Sequence, residues 1–441
     1  MPAPDGVRSQ NERMRSALET AFAEEWPRVV GAILRAFGSV EVAEESAQEA
    51  FARAADRIAA GEELRNIGAW VTTTARHVAV DLLRREAALR HKLPLFAEPE
   101  AREDSAEEFD DRLGLIYVAC DPLISPEQQV ALALRIVCGV PTADIADFFG
   151  TSGATIAARL TRAKQAIARS GERFCWPGPE DRAERRGAAL TTIYGVYTLG
   201  HTAVAGSELM DSRLSGLALL LARLIVAEYP GDTEALGLLA LIELGEARGV
   251  ARTTLDGMPL TLAEVDRSAW GRQRIRRGLE LATLALPGGG RFALQAGIAG
   301  LHSSAATWAE TDWGAISTLY YGLSRVWPAP VVALGGIIAR SHLGPSELDR
   351  AAVELRRIIG QEGTELERRI FAALADVEER RGAWAPALEA LAAASLGEQN
   401  EAVLRYYGRA ADRLQQRAVN DDAPPSKPES EGSAPVREGT R

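Results

Sequence analysis

The N-terminal part of the chain contains two runs whose apolar residues recur at the three- and four-residue spacing of an amphipathic helix. In VAEESAQEAFARAADRI, which begins at Val42, one face collects Ala47, Ala50, Phe51, Ala54 and Ile58. The side chains expected largely toward solvent are Glu44, Glu45, Gln48 and Arg53. The second run, NIGAWVTTTARHVAVDLLRREAALRHK, has the apolar stripe Ile67, Val71, Val78 and Leu82. It ends in a basic cluster of Arg84, Arg85, Arg90 and Lys92.

A third run, PTADIADFFGTSGATIAARLTRAKQAIARS, has the spacing of a helix–turn–helix from Pro141 to Ser170. Thr142 is predicted to cap a short helix, and Gly150 stands where a left-handed residue ends it. Ser152 is predicted to cap the second helix, whose buried stripe is Ile156, Leu160, Ala163 and Ile167. The preceding run, SPEQQVALALRIVCGV, predicts a supporting helix that is capped by Ser125.

The outer face of the second helix is polar and basic, and no acidic residue occurs between Gly153 and Gly171. Its candidate DNA-contacting residues are Thr155, Arg159, Arg162, Lys164, Gln165 and Arg169. Arg can read guanine and Gln can read adenine in the major groove, while further basic side chains hold phosphates. The alternative is a solvated basic face on an ordinary helical hairpin.

Charge and composition divide the 441-residue chain into segments. The net charge is −11, so DNA binding would have to come from local basic patches. The run EPEAREDSAEEFDD carries eight acids and predicts an acidic linker over 93–111. A long series of amphipathic runs over 185–417 predicts a helical array with tetratricopeptide-like packing, for which an irregular α-bundle is the alternative. The Pro- and Ser-rich end, 418–441, is predicted to be disordered.

The ordered motifs carry a family resemblance. The run AEESAQEAF, followed by NIGAWVTTTARHVAVDLLRRE, resembles the domain of extracytoplasmic-function σ factors that docks on RNA polymerase and opens the promoter. The run ending ATIAARLTRAKQAI is similar to their second domain, which reads the upstream promoter element. The resemblance covers roughly 13–170. It implies an all-α fold, with a polymerase- and −10-binding domain over 13–92 and a helix–turn–helix −35-binding domain over 112–175.

The resemblance also implies roles and partners. It implies core RNA polymerase, through its β′ clamp and β flap, and promoter DNA as partners. The residues implied to meet the polymerase are Glu45, Gln48, Glu49 and Phe51. Those implied to contact the −10 element are Trp70, Arg76, His77, Arg84 and Arg85. Trp70 could equally be a core residue. His77 stands where Asn is common in the family, and Ala157 where a basic residue is common.

The array resembles the extension of one subgroup of these σ factors, through LDGMPLTLAEVDRSAW, ETDWGAISTLYYGL and PAPVVALGG. In that subgroup the extension is expected to regulate σ activity, and its candidate partner is a regulatory protein or a ligand. The candidate regulatory residues are Asp256, Asp266, Arg267, Trp270, Asp312 and Trp313. They could line a concave ligand surface, or they could be helix caps and core anchors.

Other function classes lack their signatures. The five histidines are scattered, and no HExxH, P-loop or GxSxG motif occurs, so neither an enzyme nor a metal or cofactor site is expected. No signal peptide or long apolar run occurs, which predicts a cytoplasmic protein without membrane contact. The rival function is a ligand-responsive helix–turn–helix repressor in which the array is the sensor.

Overall fold

The computed structural model describes residues 5–62, 64–89, 110–169, 176–201, 211–249, 251, 253–254, 258–360 and 364–422. Within them every regular element is a helix, and the β structure is a single isolated bridge between Thr253 and Pro259. The chain divides into two compact units. The first comprises Met1–Pro328 with Gln399–Ala402, and the second comprises Ala329–Glu398 with Val403–Arg441.

Three helices open the first unit: α1 (Asp5–Phe37), α2 (Val40–Ala59) and α3 (Ile67–Leu89). The turn between α1 and α2 follows from two residues. Gly38 adopts a φ of 67°, and the Ser39 side chain accepts a hydrogen bond from the amide of Val42. All five residues of the predicted apolar face of α2 are buried, which confirms the helical pattern.

Four helices follow: α4 (Asp111–Ala119), α5 (Pro126–Ile136), α6 (Thr142–Phe148) and α7 (Gly153–Arg169). The caps predicted at Ser125 and Ser152 are present, since both hydroxyls accept backbone N–H groups. Gly150 has the expected positive φ, 57°. The cap predicted at Thr142 is wrong, because Pro141 occupies the N-cap position and Thr142 is already helical.

The first unit continues into the extension with α8 (Pro179–His201), α9 (Ser212–Glu228) and α10 (Thr233–Gly249). It then adds α11 (Arg272–Ala285), α12 (Arg291–Ser304) and α13 (Trp313–Val326). One apolar cluster runs through α1–α10 and reaches Phe292 of α12. The first half of the extension is therefore built into the same core as the two N-terminal helical groups.

The second unit has a core of its own. Its helices are α14 (Pro330–Arg340), α15 (Pro345–Ile358), α16 (Thr364–Arg380) and α17 (Trp384–Ser395), with most of α18 (Glu401–Asp422). Leu355, Ile370 and Val377 are among its most buried side chains. Buried Glu378 pairs with Arg356 at 2.5 Å and Arg381 at 2.6 Å.

The all-α class is confirmed, and so is the helical character of the extension. Tetratricopeptide-like packing stays a prediction. The division between the two compact units falls at Pro328, inside the predicted array 185–417, and the predicted domain bounds stay a prediction. The last helix runs to Asp422, past the predicted start of the tail at 418. Most of the acidic linker, 93–109, and the tail from 423 lie outside the described residues.

Candidate polymerase and nucleic-acid interface

Helix α7 presents a polar face that fits the predicted recognition helix. Its stripe of Ile156, Leu160, Ala163 and Ile167 is buried, as the spacing predicts. On the opposite side Thr155, Arg162 and Gln165 are exposed. The guanidinium of Arg162 donates to the Ala158 carbonyl at 3.2 Å, and the Thr155 hydroxyl lies 2.8 Å from that of Ser152. Arg169 ends the helix, and its side chain lies outside the described part of the structure.

Arg159 does not project freely from this face. Its guanidinium carbon lies 5.1 Å from the ring centre of Phe149, and its Nη1 atom is buried without a hydrogen-bond partner. The cause is the position of Phe149 at the C-cap of α6, next to the turn into α7. Arg159 therefore stacks on the turn, and the DNA contact predicted for it would require the side chain to move.

Lys164 is also held inside the protein. Its ammonium pairs with Glu44 of α2, and the guanidinium of Arg135 in α5 donates to the same carboxylate at 2.6 Å. Glu44 is only 9% exposed, so the expectation that it points to solvent is wrong. Helical spacing places Glu44 on the outer side of an isolated α2, but α5 and α7 cover that side.

The electrostatics of this cluster favour a charged Glu44. Burial alone would raise the pKa of its carboxyl group, but Lys164 and Arg135 together hold the pKa below its ordinary value. We call Glu44, Arg135 and Lys164 the α2–α7 ion cluster. A second contact nearby joins the same helical groups, because the indole N–H of Trp26 in α1 donates to the Ile136 carbonyl at 3.1 Å.

The predicted polymerase-binding residues of α2 divide by exposure. Glu45 and Glu49 are exposed, and Glu49 pairs with Arg53 at 2.9 Å. Gln48 is half-buried and donates to Glu44 at 3.0 Å. Phe51 is buried, and its ring centre lies 4.9 Å from that of Phe22. Phe51 is therefore a core residue, which leaves Glu45 and Glu49 as the exposed members of the predicted set.

The predicted −10 residues lie on or beside one face of α3. Trp70, His77 and Arg84 are spaced by seven residues, which places them one above another along the helix. His77, Arg84, Arg76 and Arg85 are exposed. Trp70 is half-buried, and the guanidinium carbon of Arg57 lies 5.4 Å from its ring centre. The face therefore combines an aromatic surface with a basic track, as capture of unpaired bases requires.

Contacts between α4 and the extension were missed by sequence reasoning. The hydroxyl of Tyr117 donates to Glu228 of α9 at 2.8 Å, and Arg182 of α8 pairs with the same carboxylate at 2.9 Å. Arg185 of α8 pairs with Asp121 at 3.1 Å and donates to the Tyr117 carbonyl at 3.1 Å. Each partner is distant in sequence, so no local pattern marks these pairs.

Four of the predicted regulatory residues act as caps and core anchors. Asp266 accepts the amide of Ser268 at 2.9 Å, and Asp312 accepts the amide of Ala315 at 2.8 Å. Trp270 is 3% exposed, and the ring of Trp313 packs 5.3 Å from that of His302. These contacts agree with the alternative given above, in which the residues are helix caps and core anchors.

Arg267 is likewise used within the fold, because it donates to the carbonyls of His302 and Ala305 at 3.1 and 2.8 Å. Asp256 lies outside the described residues. The geometry of this set therefore gives no support to the predicted concave ligand surface.

Two further findings concern the described residues alone. No group of three His, Cys, Asp or Glu side chains among them is arranged to hold a metal ion. None of the helices they form combines the length and the apolar character needed to cross a membrane.

Three protein families match parts of this chain. Residues 22–88 match the family Sigma-70 region 2, and residues 123–167 match Sigma-70, region 4. Residues 185–286 match a family of unknown function, DUF6596. An uncharacterized protein of Rhizobium meliloti (strain 1021) is 35% identical over 350 residues, which is 76% of this chain and 82% of that protein. No solved structure shows a significant match.

Proposed function

We propose how this chain works from one premise: it belongs to the extracytoplasmic-function σ factors, with σ-70 regions 2 and 4 and a DUF6596 extension. Such σ factors are DNA-binding initiation factors and not enzymes, and their domains serve RNA polymerase binding and promoter recognition.

The exposed surfaces carry the assignment. We assign Glu45 and Glu49 of α2 to the polymerase β′ clamp and region 4 to the β flap. The face of α3 with Trp70, His77 and Arg84 takes the −10 element, flanked by Arg76 and Arg85. Helix α7 takes the −35 element through Thr155, Arg162 and Gln165, with Arg169 at its end. Arg159 and Lys164 also contact the −35 element once Arg159 leaves Phe149 and Lys164 leaves Glu44.

The α2–α7 ion cluster is the observation that carries the regulatory part of the proposal. The −35 and −10 elements are separated by about 25 base pairs, or about 85 Å of B-form DNA at 3.4 Å per step. Glu44 and Lys164 cannot remain paired when α3 and α7 hold elements so far apart. Lys164 also cannot hold a phosphate while Glu44 neutralises it. The arrangement is therefore a closed state that must open before promoter recognition.

The extension supports the closed state. Arg182 and Arg185 of α8 and Glu228 of α9 hold α4, and α4 and α5 share the core of the first unit with α8. Region 4 therefore cannot leave region 2 unless it also leaves the extension or carries the extension with it. If region 4 opens by leaving the extension, the contacts made by Arg182, Arg185 and Glu228 must break first, and in this way the extension resists opening.

In vitro transcription tests the proposal. Full-length protein is mixed with core polymerase and a promoter library, and the Arg135→Gln variant is compared with wild type. The Arg135 side chain is 14% exposed and is not among the residues assigned to DNA or to the β′ clamp, so its loss weakens the closed state and should raise transcript yield several-fold. Arg28→Gln is the matched control, because Arg28 forms an exposed pair with Glu25 of the same helix and should leave yield unchanged.

Two results would contradict the proposal. If correctly folded Arg135→Gln protein gives a transcript yield equal to or below that of wild type, the closed state does not restrain transcription and the proposal is refuted. If the protein binds duplex DNA tightly and sequence-specifically without polymerase, and gives no transcripts when polymerase is added, the rival function of a ligand-responsive repressor is favoured.

A further inference from the structure

Helix α12 carries a stripe of polar residues that the σ function does not use. Arg291, Gln295 and His302 are spaced by four and seven residues, so their side chains lie along one face of the helix. The Nε of Arg291, the Nε2 of Gln295 and the Nδ1 of His302 are buried, and none has a hydrogen-bond partner. Buried polar atoms are normally satisfied, so three unsatisfied atoms on one face indicate a site for a ligand.

Side chains from neighbouring helices surround the stripe. The ring centre of Tyr194 in α8 lies 5.2 Å from the guanidinium carbon of Arg291. Tyr320 of α13 is half-buried and lies within electrostatic reach of both Tyr194 and Arg248 of α10. Arg248 also acts on His302 at the other end of the stripe. Side chains of α8, α10 and α13 therefore lie beside the stripe, which extends about 16 Å from Arg291 to His302 at 1.5 Å per residue.

Arg291 is a half-buried cation whose Nε atom is fully buried, and it has no ion-pair partner among the described residues. Its guanidinium lies over the rings of Trp327 and Phe292, at 3.6 and 4.8 Å from their centres. Glu234, whose charge acts on Arg291, directs its carboxylate to the amides of Phe292 and Ala293 at 3.0 to 3.1 Å. By contrast, Arg182 and Arg185 of α8 each pair with a carboxylate. Aromatic faces offset part of the desolvation of Arg291, but an anion would complete its environment.

The far end of the stripe is also electropositive. Burial, together with the charges of Arg248 and Arg267, lowers the pKa of His302 to about 4. His302 is therefore neutral near pH 7, and its Nδ1 can donate or accept a hydrogen bond according to the tautomer. The surroundings of the stripe thus combine cations and hydrogen-bonding groups with the aromatic rings of Tyr194 and Trp327.

We propose that α8, α10, α12 and α13 form a binding site for a small anion whose oxyanion group, a carboxylate or a phosphate, is held by Arg291 and Gln295. The aromatic rings beside Arg291 accommodate the remainder of an organic ligand. The site lies in the extension that packs on region 4, and its existence does not depend on σ activity.

Isothermal titration calorimetry on the full-length protein tests the site. The two probes are inorganic phosphate and benzoate, at constant ionic strength with chloride as the balancing anion. We expect saturable one-to-one binding of at least one probe. Binding of phosphate alone identifies a phosphate site, and binding of benzoate alone identifies an aromatic carboxylate site. The absence of saturable binding of both probes would overturn the proposal.

Variants locate the binding. Arg291→Gln and Gln295→Leu should each weaken binding at least ten-fold, whereas Arg276→Gln removes an exposed charge from α11 and should leave affinity unchanged. Circular dichroism checks the fold, and Gln295→Leu decides the test if Arg291→Gln unfolds. Wild-type affinity in the correctly folded stripe variants would place the anion elsewhere and overturn the proposal.

Discussion

Replacing Glu44 by Gln tests the energetic role of the α2–α7 ion cluster. Glu44 holds both Lys164 and Arg135, whose side chains are 13% and 14% exposed. Removing the one carboxylate leaves two nearly buried cations without their counter-charge, and breaking such a buried pair costs about 3 to 5 kcal/mol. Gln keeps a carbonyl oxygen for one hydrogen bond, so we expect a loss near the lower end, about 3 kcal/mol.

Urea denaturation at pH 7, followed through the transition of the first unit, measures this loss. Glu49→Gln is the matched control, because Glu49 forms an exposed pair with Arg53 in the same helix and should cost less than about 1 kcal/mol. Adding Lys164→Met to Glu44→Gln removes one stranded cation. The double variant should therefore recover part of the loss, with a coupling of about 1 to 2 kcal/mol.

The pH dependence has a definite sign. The pKa of Glu44 is lower in the folded protein than in the unfolded chain, so its stabilisation is fully present above the unfolded pKa. It is lost as the pH falls through the lowered folded pKa, and the difference between wild type and Glu44→Gln should shrink there. A loss below about 1 kcal/mol at pH 7, with no coupling to Lys164→Met, would refute the reasoning.

Three further predictions concern other parts of the first unit. Arg162→Ala should weaken −35 recognition by about 1 to 3 kcal/mol, measured by competition between promoters for the holoenzyme. If the preference among −35 sequences is unchanged, Arg162 does not read a base. Gly237→Ala should destabilise the fold by more than about 2 kcal/mol, because the added Cβ would lie 2.5 Å from the amide nitrogen of Ala293. In Gly216→Ala the added Cβ meets no atom within 4 Å, so this variant should stabilise the fold by up to about 1 kcal/mol. Thermal unfolding compares the two, and equal effects would contradict the close approach of α10 and α12. Because His302 has a folded pKa of about 4 and an ordinary value of 6.5, the stabilisation that depends on its neutral form is present above pH 6.5 and lost toward pH 4. His302→Gln should flatten that pH dependence in urea denaturation, and an unchanged slope would contradict it.

The sequence predicts the parts of the site that depend on local spacing. The buried stripe of α7, the caps at Ser125 and Ser152, and the left-handed Gly150 follow from residues within one or two turns. The exposed faces of α3 and α7 follow from the same periodicity. These features need no knowledge of the rest of the chain.

Features that depend on distant packing could not be predicted. Glu44 has the pattern of a solvent residue in an isolated α2, and only the approach of α5 and α7 buries it. Lys164 has the pattern of a phosphate contact for the same reason. The stripe of Arg291, Gln295 and His302 is spread over twelve positions among apolar residues, and its unsatisfied atoms are visible only when the surrounding helices are in place.

Opening of the closed state is the central claim, and an intramolecular distance tests it directly. Cysteines introduced by Ala60→Cys at the end of α2 and Ala168→Cys near the end of α7 occupy exposed positions and can carry a fluorescence donor and acceptor. Energy transfer should be high in the free protein and should fall when core polymerase and promoter DNA are added, as regions 2 and 4 separate by tens of ångströms. Unchanged energy transfer in a complex that produces transcripts would contradict the account.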